Sequence, residues 1–472
     1  MKRSISLIVV VLFFVAGVAW AETAKEWYKK GLKEKDLDKK IDYYKSAIAI
    51  DSKYTAACYE LGLVYVKKGM LDEAMVEFKK IIAMDPTHVM SHVSLGSVYG
   101  GKGMVDEAIA EYKKAIAIDP NDFFAHFNLG MAYKNKGELD EAVAEYKKAI
   151  AIDPNDFSAH LNLGMAYKNK GKLDEAVAEY KKAIAIDPND LSAHLNLGNA
   201  YAQKGVLDEA IAEYRKAIAI NPKNGNTHVT LGNAYGRKGM VDEAIAEYKK
   251  AIAIDPNDFW AHNNLGTVYD KKGELDEAIA EYKKAIAIEP KNVAAYCNLG
   301  LTYRKKGELK EAISALEKAI AISPNEAMFH YNLGTVYAEK GMVDEAVAEF
   351  EKAIAIDSNS ATFHYNLGTV YVKKGMVDEA IAEFKKAIAI DPNYAVAHND
   401  LALEYLTKGL NSLAADHLYK AGSLYLERGD RESALKACEG LKQTKSIELE
   451  QDLYEKLYPG VKERKEKDQS KP

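Results

Sequence analysis

The stretch that decides the fold is Asn121-Asp-Phe-Phe-Ala-His-Phe-Asn-Leu-Gly-Met-Ala-Tyr-Lys-Asn-Lys-Gly-Glu-Leu-Asp-Glu-Ala-Val-Ala-Glu-Tyr-Lys-Lys-Ala-Ile-Ala-Ile-Asp-Pro154. Leu129, Gly130 and Tyr133 fall at i, i+1 and i+4, and Ala142, Tyr146 and Ala149 fall at i, i+4 and i+7, so each set marks one face of a helix. Gly137 sits where the first helix needs a left-handed residue to stop, and Pro154 stops the second. Asp140 is expected to cap the second helix and Asp156 the first helix of the next unit. The stretch therefore reads as one helix–turn–helix unit, which begins at Phe123 and gives way to the next at Phe157.

The same spacing governs the whole chain of 472 residues. Gly130 returns as Gly164 and Gly198, and nine of the 11 prolines, nine of the 11 histidines and 21 of the 31 glycines recur at that interval or a multiple of it. Such a period excludes one large globular core and indicates a tandem array. A hydrophobic content of 48% excludes a disordered chain, and 28% charged residues exclude a multi-span membrane protein. The net charge of −6 offers no basic surplus for a phosphate backbone, so nucleic acid is a poor partner. Cys58, Cys297 and Cys438 are odd in number and far apart. They are expected to be small packed hydrophobes rather than a disulfide framework or a thiolate metal site.

Residues 1–21 have the layout of a secretory signal: Met1-Lys2-Arg3, an apolar run from Ile5 to Val18, then Ala19-Trp20-Ala21 before Glu22. Cleavage there is expected, with an uncleaved anchor as the alternative. The mature chain would carry no membrane span and would be periplasmic, if bacterial, or extracellular.

Ten glycines, from Gly62 through Gly96, Gly130 and onward to Gly368, fall inside the first helices. Glycine in a helix costs roughly 0.5–1 kcal/mol. A recurrent cost of this kind implies a compensating close approach between helices, with Ala74, Ala108 and Ala142 expected as the small partner surface. Tyr65 through Tyr405 fill the larger gaps, and a hairpin this thin must be stabilised by its neighbours.

At Leu129, Gly130, Tyr133, Ala142, Tyr146, Ala149 and Pro154 the sequence resembles the tetratricopeptide repeat family. The resemblance implies an all-α fold, a right-handed α-solenoid of about twelve helix–turn–helix repeats plus C-terminal capping helices. The expected organisation is a signal peptide over 1–21, a shortened N-terminal repeat over 22–54 and ten full repeats over 55–394. A degenerate repeat follows over 395–428, then capping helices over 429–458 and a charged, disordered tail over 459–472. In the first repeat Tyr44 follows Gly31 about one helical turn sooner than Phe78 follows Gly62 in the next.

The second helices are near copies, and their charges read as a solvated outer face. Variation concentrates in the first helices, which line a concave groove in the family. Two positions before the helix glycine stand Asn128, Asn162, Asn196, Asn264, Asn298, Asn332 and Asn366, with Ser94, Thr230 and Asp400 in three other repeats. An amide both donates and accepts, so a column of them can clamp an extended peptide backbone without reading its sequence. This is similar to the asparagine ladder in the repeat domain of O-linked N-acetylglucosamine transferases, whose catalytic domain is absent here. The alternative is that each Asn bonds to neighbouring backbone and fixes repeat geometry. Phe124, Phe127, Trp260, Tyr331 and Tyr365 are expected as aromatic anchors beside the ladder, with inter-repeat packing as the alternative. The family's basic clamp for chaperone carboxylates is not matched, because its positions carry Phe, Leu and Tyr.

His92, His126, His160, His194, His228, His262, His330, His364 and His398 occupy the family's Trp position and are expected to pack rather than to bind metal. No catalytic triad, phosphate loop or carboxylate pair stands out, so neither enzymatic activity nor a cofactor is expected. Gly100-Gly101 and Gly225 with Gly236 make two repeats soft, as hinges left by an old four-repeat duplication would be. The functional expectation is a non-catalytic exported scaffold that holds an extended peptide or protein segment and helps assemble an envelope complex. A partner-free spacer or self-associating element is the rival. A binding subunit of a glycosyltransferase or secretion system is more remote.

Overall fold

A computed structural model describes residues 22–458, so the signal sequence and the charged tail lie outside the described residues. The described chain is all helical, and its helices pair consecutively into hairpins that stack as an α-solenoid. It divides into two compact units, the first ending at Lys238 and the second beginning at Gly239. In the first unit the hairpins run from Ala24–Lys33 with Leu37–Ile50 to Leu207–Ile220, followed by Gly225–Lys238. In the second they run from Phe259–Lys272 with Leu275–Ile288 to Ala395–Thr407 with Asn411–Glu427, and Arg431–Thr444 and Ile447–Leu457 complete the C-terminal end.

Local chemistry sets the helix ends. Gly137 takes φ 85°, the left-handed conformation that frees the chain to turn after Lys136, and Glu138 N–H returns to the Tyr133 carbonyl at 2.9 Å. Asp156 caps the following first helix by accepting from Ala159 N–H at 2.6 Å. Asp140 does not act as a cap. The second helix starts one residue earlier, at Leu139, with no side-chain cap. Asp140 lies in its first turn and pairs with Lys170 of the next repeat. The same bridge recurs as Lys136–Asp106 and Lys306–Asp276, so this aspartate ties neighbouring repeats together.

Apart from Gly300, which meets Leu316, the described periodic helix glycines have an aromatic ring as partner rather than the small alanine expected. A Cβ on Gly130 would sit 2.8 Å from the ring of Tyr146, and one on Gly164 would sit 2.6 Å from Tyr180. Phe78 fills this role against Gly62, and Tyr44 against Gly31 in the shortened first repeat. Ala142 and Ala149 are fully buried beside the ring. Each such repeat thus seats one ring on bare backbone, and the ring follows its glycine at a fixed interval in the full repeats.

The phenol tips differ among repeats. Tyr214 Oη donates to Asn199 at 2.8 Å, and Tyr112 Oη to Ser97 at 3.2 Å. Met131 and Met165 hold that place in two repeats, and the buried hydroxyls of Tyr146 and Tyr180 have no partner there. Burial raises the pKa of both phenols far above the usual tyrosine range.

At the C-terminal end Ala402 replaces the glycine, and Leu418 replaces the ring. Ile447–Leu457 packs on the two preceding helices, with Leu453 seated against Gly422. Gly100 and Gly101 lie within Val89–Gly101, which they leave unbroken, and Gly103 (φ 76°) makes the turn. A Cβ on Gly100 would meet nothing within 4 Å.

Two glycine-to-alanine variants should therefore move stability in opposite directions. Gly164→Ala overpacks the Tyr180 seat and should cost about 1–3 kcal/mol. Gly100→Ala should gain about 0.5–1 kcal/mol, because it removes only helix-disfavouring flexibility. Urea-unfolding midpoints of the two variants test this, and shifts of the same sign would refute the seat.

Candidate functional site: the inner face of the first helices

First helices of successive repeats approach one another, as Phe123–Lys136 does Phe157–Asn169 and as Val293–Lys306 does Ala327–Lys340. Among the described residues, successive second helices make no comparable approach. The first helices therefore line the inner side of each unit. Exposed large apolar side chains recur on these helices at matching repeat positions: Leu63, Val66, Met90, Phe124 and Met131 in the first unit, and Trp260, Met328, Val372, Val396 and Leu403 in the second; the second helices expose others, such as Val76 and Ile186.

The asparagine column divides into two sets. The Asn128 side chain makes no hydrogen bond among the described residues and stays half-buried. Asn162 and Asn196 each donate Nδ2 to the carbonyl one turn back, Ser158 and Ser192, at 2.9 Å. Asn162 Oδ1 also accepts from Lys134 Nζ at 2.8 Å, a lysine whose pKa burial lowers. Asn264 is half-buried at the equivalent turn. Asn298, Asn332 and Asn366 instead donate into the preceding repeat, to Asn263 Oδ1 (3.4 Å), Cys297 Sγ (3.8 Å) and Tyr331 Oη (3.4 Å). Asn366 also donates to the Thr362 carbonyl at 2.8 Å. The residues at the same offset before Asn128, Asn162 and Asn196 are Val93, Phe127 and Leu161, which offer no acceptor.

The aromatic candidates divide likewise. Phe124 and Trp260 are 55% and 56% exposed, so their faces are open to a partner. Phe127 stacks on Phe123 at 5.8 Å and tilts against Tyr146. Tyr331 stacks on Phe363 at 5.0 Å. Tyr365 donates to Asp400 Oδ2 at 2.9 Å, and burial followed by the Asp400 charge drives its pKa upward. These last three are engaged in packing within and between repeats.

The histidines disclose a network that the sequence reading misses. His126 is 3% exposed, with Nδ1 at 2.5 Å from Glu145 Oε2 and Nε2 at 3.0 Å from the Pro120 carbonyl. His92–Glu111, His160–Glu179, His194–Glu213, His262–Glu281, His330–Glu349 and His364–Glu383 repeat the pair across the hairpin. Both ring nitrogens have oxygen partners, a glutamate carboxyl group across the hairpin and a backbone carbonyl. The second helix is thus not charged on a solvated face alone: Glu145 is 9% exposed, and Lys148 Nζ donates to its other oxygen at 2.8 Å. In the degenerate repeat His417 replaces the carboxylate, 2.7 Å from His398, and burial lowers the pKa of both rings.

Cys58 and Cys438 are buried, Cys297 is half-buried, and all three are free. No group of three or more His, Cys, Asp or Glu able to hold a metal exists among the described residues, nor is any described helix long and apolar enough to cross a membrane.

Models of the TPR repeat match nine overlapping segments from residues 102–137 to 368–409, and a tetratricopeptide repeat model matches 55–88. The chain belongs to the tetratricopeptide repeat family, whose fold serves protein–protein interaction. It is similar to the solved structure of MamA, at 34% identity over 34% of this chain and 95% of that one, with a TM-score of 0.33. It is also similar to YrrB, described as a TPR protein with an unusual peptide-binding site, at 27% identity over 41% and 97% of the two chains, with a TM-score of 0.35. A tetratricopeptide repeat protein from Parabacteroides merdae is 20% identical over 52% and 98%, with a TM-score of 0.43. No curated protein sequence matches the chain.

The His–Glu couple generates a pH prediction. Burial works to raise the Glu111 pKa, but Lys114 and His92 outweigh it and hold the carboxyl below its ordinary value. A carboxyl lowered by folding contributes stability above its unfolded pKa and loses it as pH falls through the folded value. Glu111→Gln should therefore unfold at lower urea than the parent at pH 7, and the gap should close toward about pH 3. A gap that stays constant on acidification would contradict the assignment.

Proposed function

We propose that this protein is an exported, non-catalytic scaffold that holds an extended peptide or protein segment along the inner face of its first helices, in the assembly of an envelope complex. The observation that carries the reading is the coincidence, on one face, of exposed apolar side chains with amides that the fold does not fully use. Phe124, Met131 and Asn128 stand within one helix of that face. An extended strand needs backbone partners at regular intervals, and Asn128, Asn162 and Asn196 recur once per repeat. Trp260 and Phe124 supply anchors that bury apolar area with few rotamers to freeze. The leader-like residues 1–21 support export, since a short apolar run followed by Ala-Trp-Ala fits signal processing.

The test uses the purified chain and fluorescein-labelled extended peptides that carry one central Leu or Phe in a Ser/Thr background. Replacing Asn128, Asn162 and Asn196 together by Ala should weaken binding by about a hundredfold, at roughly 1 kcal/mol for each lost hydrogen bond. The thermal midpoint should hardly change. Undiminished binding would reject the ladder, and a uniform lack of binding would favour the spacer. The intact mass of the protein from its host should begin at Glu22 if export processing occurs.

A further inference from the structure

We infer that the repeat beginning at Val293 is the specificity-determining one, and that it takes an acidic side chain of the bound segment. The inference rests on the inner-face reading above and names the chemistry recognised there.

This repeat gives up couplings that its neighbours keep. Tyr296 and Ala315 stand where the others place His and Glu, so the buried couple is missing. Leu316 replaces the ring against Gly300. Lys310 replaces the aspartate that bridges to the next repeat, whereas Asp276–Lys306 and Asp344–Lys374 keep that bridge at 2.6 and 2.7 Å. The residue that would have met it, Lys340, is also a cation.

On the inner side the same repeat gains charge. Arg304 donates Nε to Glu339 Oε1 at 2.8 Å, and Thr302 Oγ1 donates to Asp270 Oδ1 at 2.8 Å. Lys305 pairs with the second oxygen of Asp270. Other repeats carry at most one cation at the two corresponding positions, as Lys134 with Asn135 and Arg237 with Gly236, and the repeat from 191 carries none, with Ala202 and Gln203. These groups border an open cavity of about 590 Å³, which Lys271, Asn298 and Leu301 also line.

The charge balance selects the occupant. Lys271, Arg304 and Lys305 face Asp270 and Glu339, an excess of one positive charge. Asp270 is 14% exposed at its side chain, with both oxygens engaged, so it belongs to the fold. Glu339 is 40% exposed and holds Arg304 from the surface. A carboxylate entering the cavity can take Arg304 from Glu339, which returns to water, and can also meet Lys271, which pairs with no carboxylate among the described residues. A cationic side chain would meet three positive groups instead.

The test uses the full chain and three short labelled peptides, identical except for a central Glu, Gln or Lys, read by fluorescence anisotropy at low and high salt. The Glu peptide should bind about tenfold more tightly than the Lys peptide at low salt, and the difference should shrink with salt. Arg304→Gln should erase the preference. Glu339→Gln, which removes the internal competitor for Arg304, should tighten the Glu peptide about three- to fivefold. Equal binding of the Glu and Lys peptides, or weaker Glu-peptide binding by Glu339→Gln, would overturn the inference. If all three bind equally and still need Asn128, Asn162 and Asn196, the inner-face reading stands and this one falls. If none binds, both fall.

Discussion

A ring pressed onto bare backbone is the interaction on which the rest of the array depends. Tyr146 on Gly130 and Phe350 on Gly334 bring two helices closer than any side chain with a Cβ would allow. Glycine weakens each first helix, so the helix is stable only where its hairpin partner fills the space. Each hairpin then packs on the next through its second helix, as Leu139–Ile152 does on Phe157–Asn169. Stability is therefore a nearest-neighbour property, as expected for a stacked array.

Other contacts reinforce that stack in polar terms. The buried His–Glu couple spans most of the full hairpins, as in His126 with Glu145, and the exposed Lys–Asp bridge links consecutive hairpins, as in Lys170 with Asp140. Lys147 lies 5.7 Å from the ring centre of Tyr167 in the next repeat, a second inter-repeat tie. Exposed pairs of this kind contribute little singly. The desolvated couple matters more, because losing one partner strands the other. In the first full repeat Cys58 stands in place of His, and the buried Glu77 Oε2 makes no hydrogen bond and keeps only an ion pair with Lys80 at 4.0 Å.

The helices and their glycine stops are legible in the sequence because a strict period reports each position again in every repeat. The Glu145 environment is not, since its helix reads as uniformly charged and its partner His126 lies across the hairpin on the other helix. A clue exists in the repeat from 293, where Tyr296 and Ala315 replace both members together. The division of the amides is hidden for a similar reason. Whether Asn366 is tied depends on Tyr331, which lies in the preceding repeat and one step out of phase with it. Asp140 misleads because a cap and a first-turn acid stand so close in sequence, and the pairing with Lys170 decides between them.

Excision of one whole repeat tests the nearest-neighbour claim most directly. Deleting residues 157–190 joins Asp156 to Leu191, which is the same junction chemistry as Asp190 to Leu191. The account predicts that helicity per residue, read by circular dichroism, is unchanged and that the shortened chain still unfolds with a sharp transition slightly below that of the parent. Loss of helicity well beyond the excised share, or a broad transition with aggregation, would show that the repeats depend on contacts farther away than their neighbours.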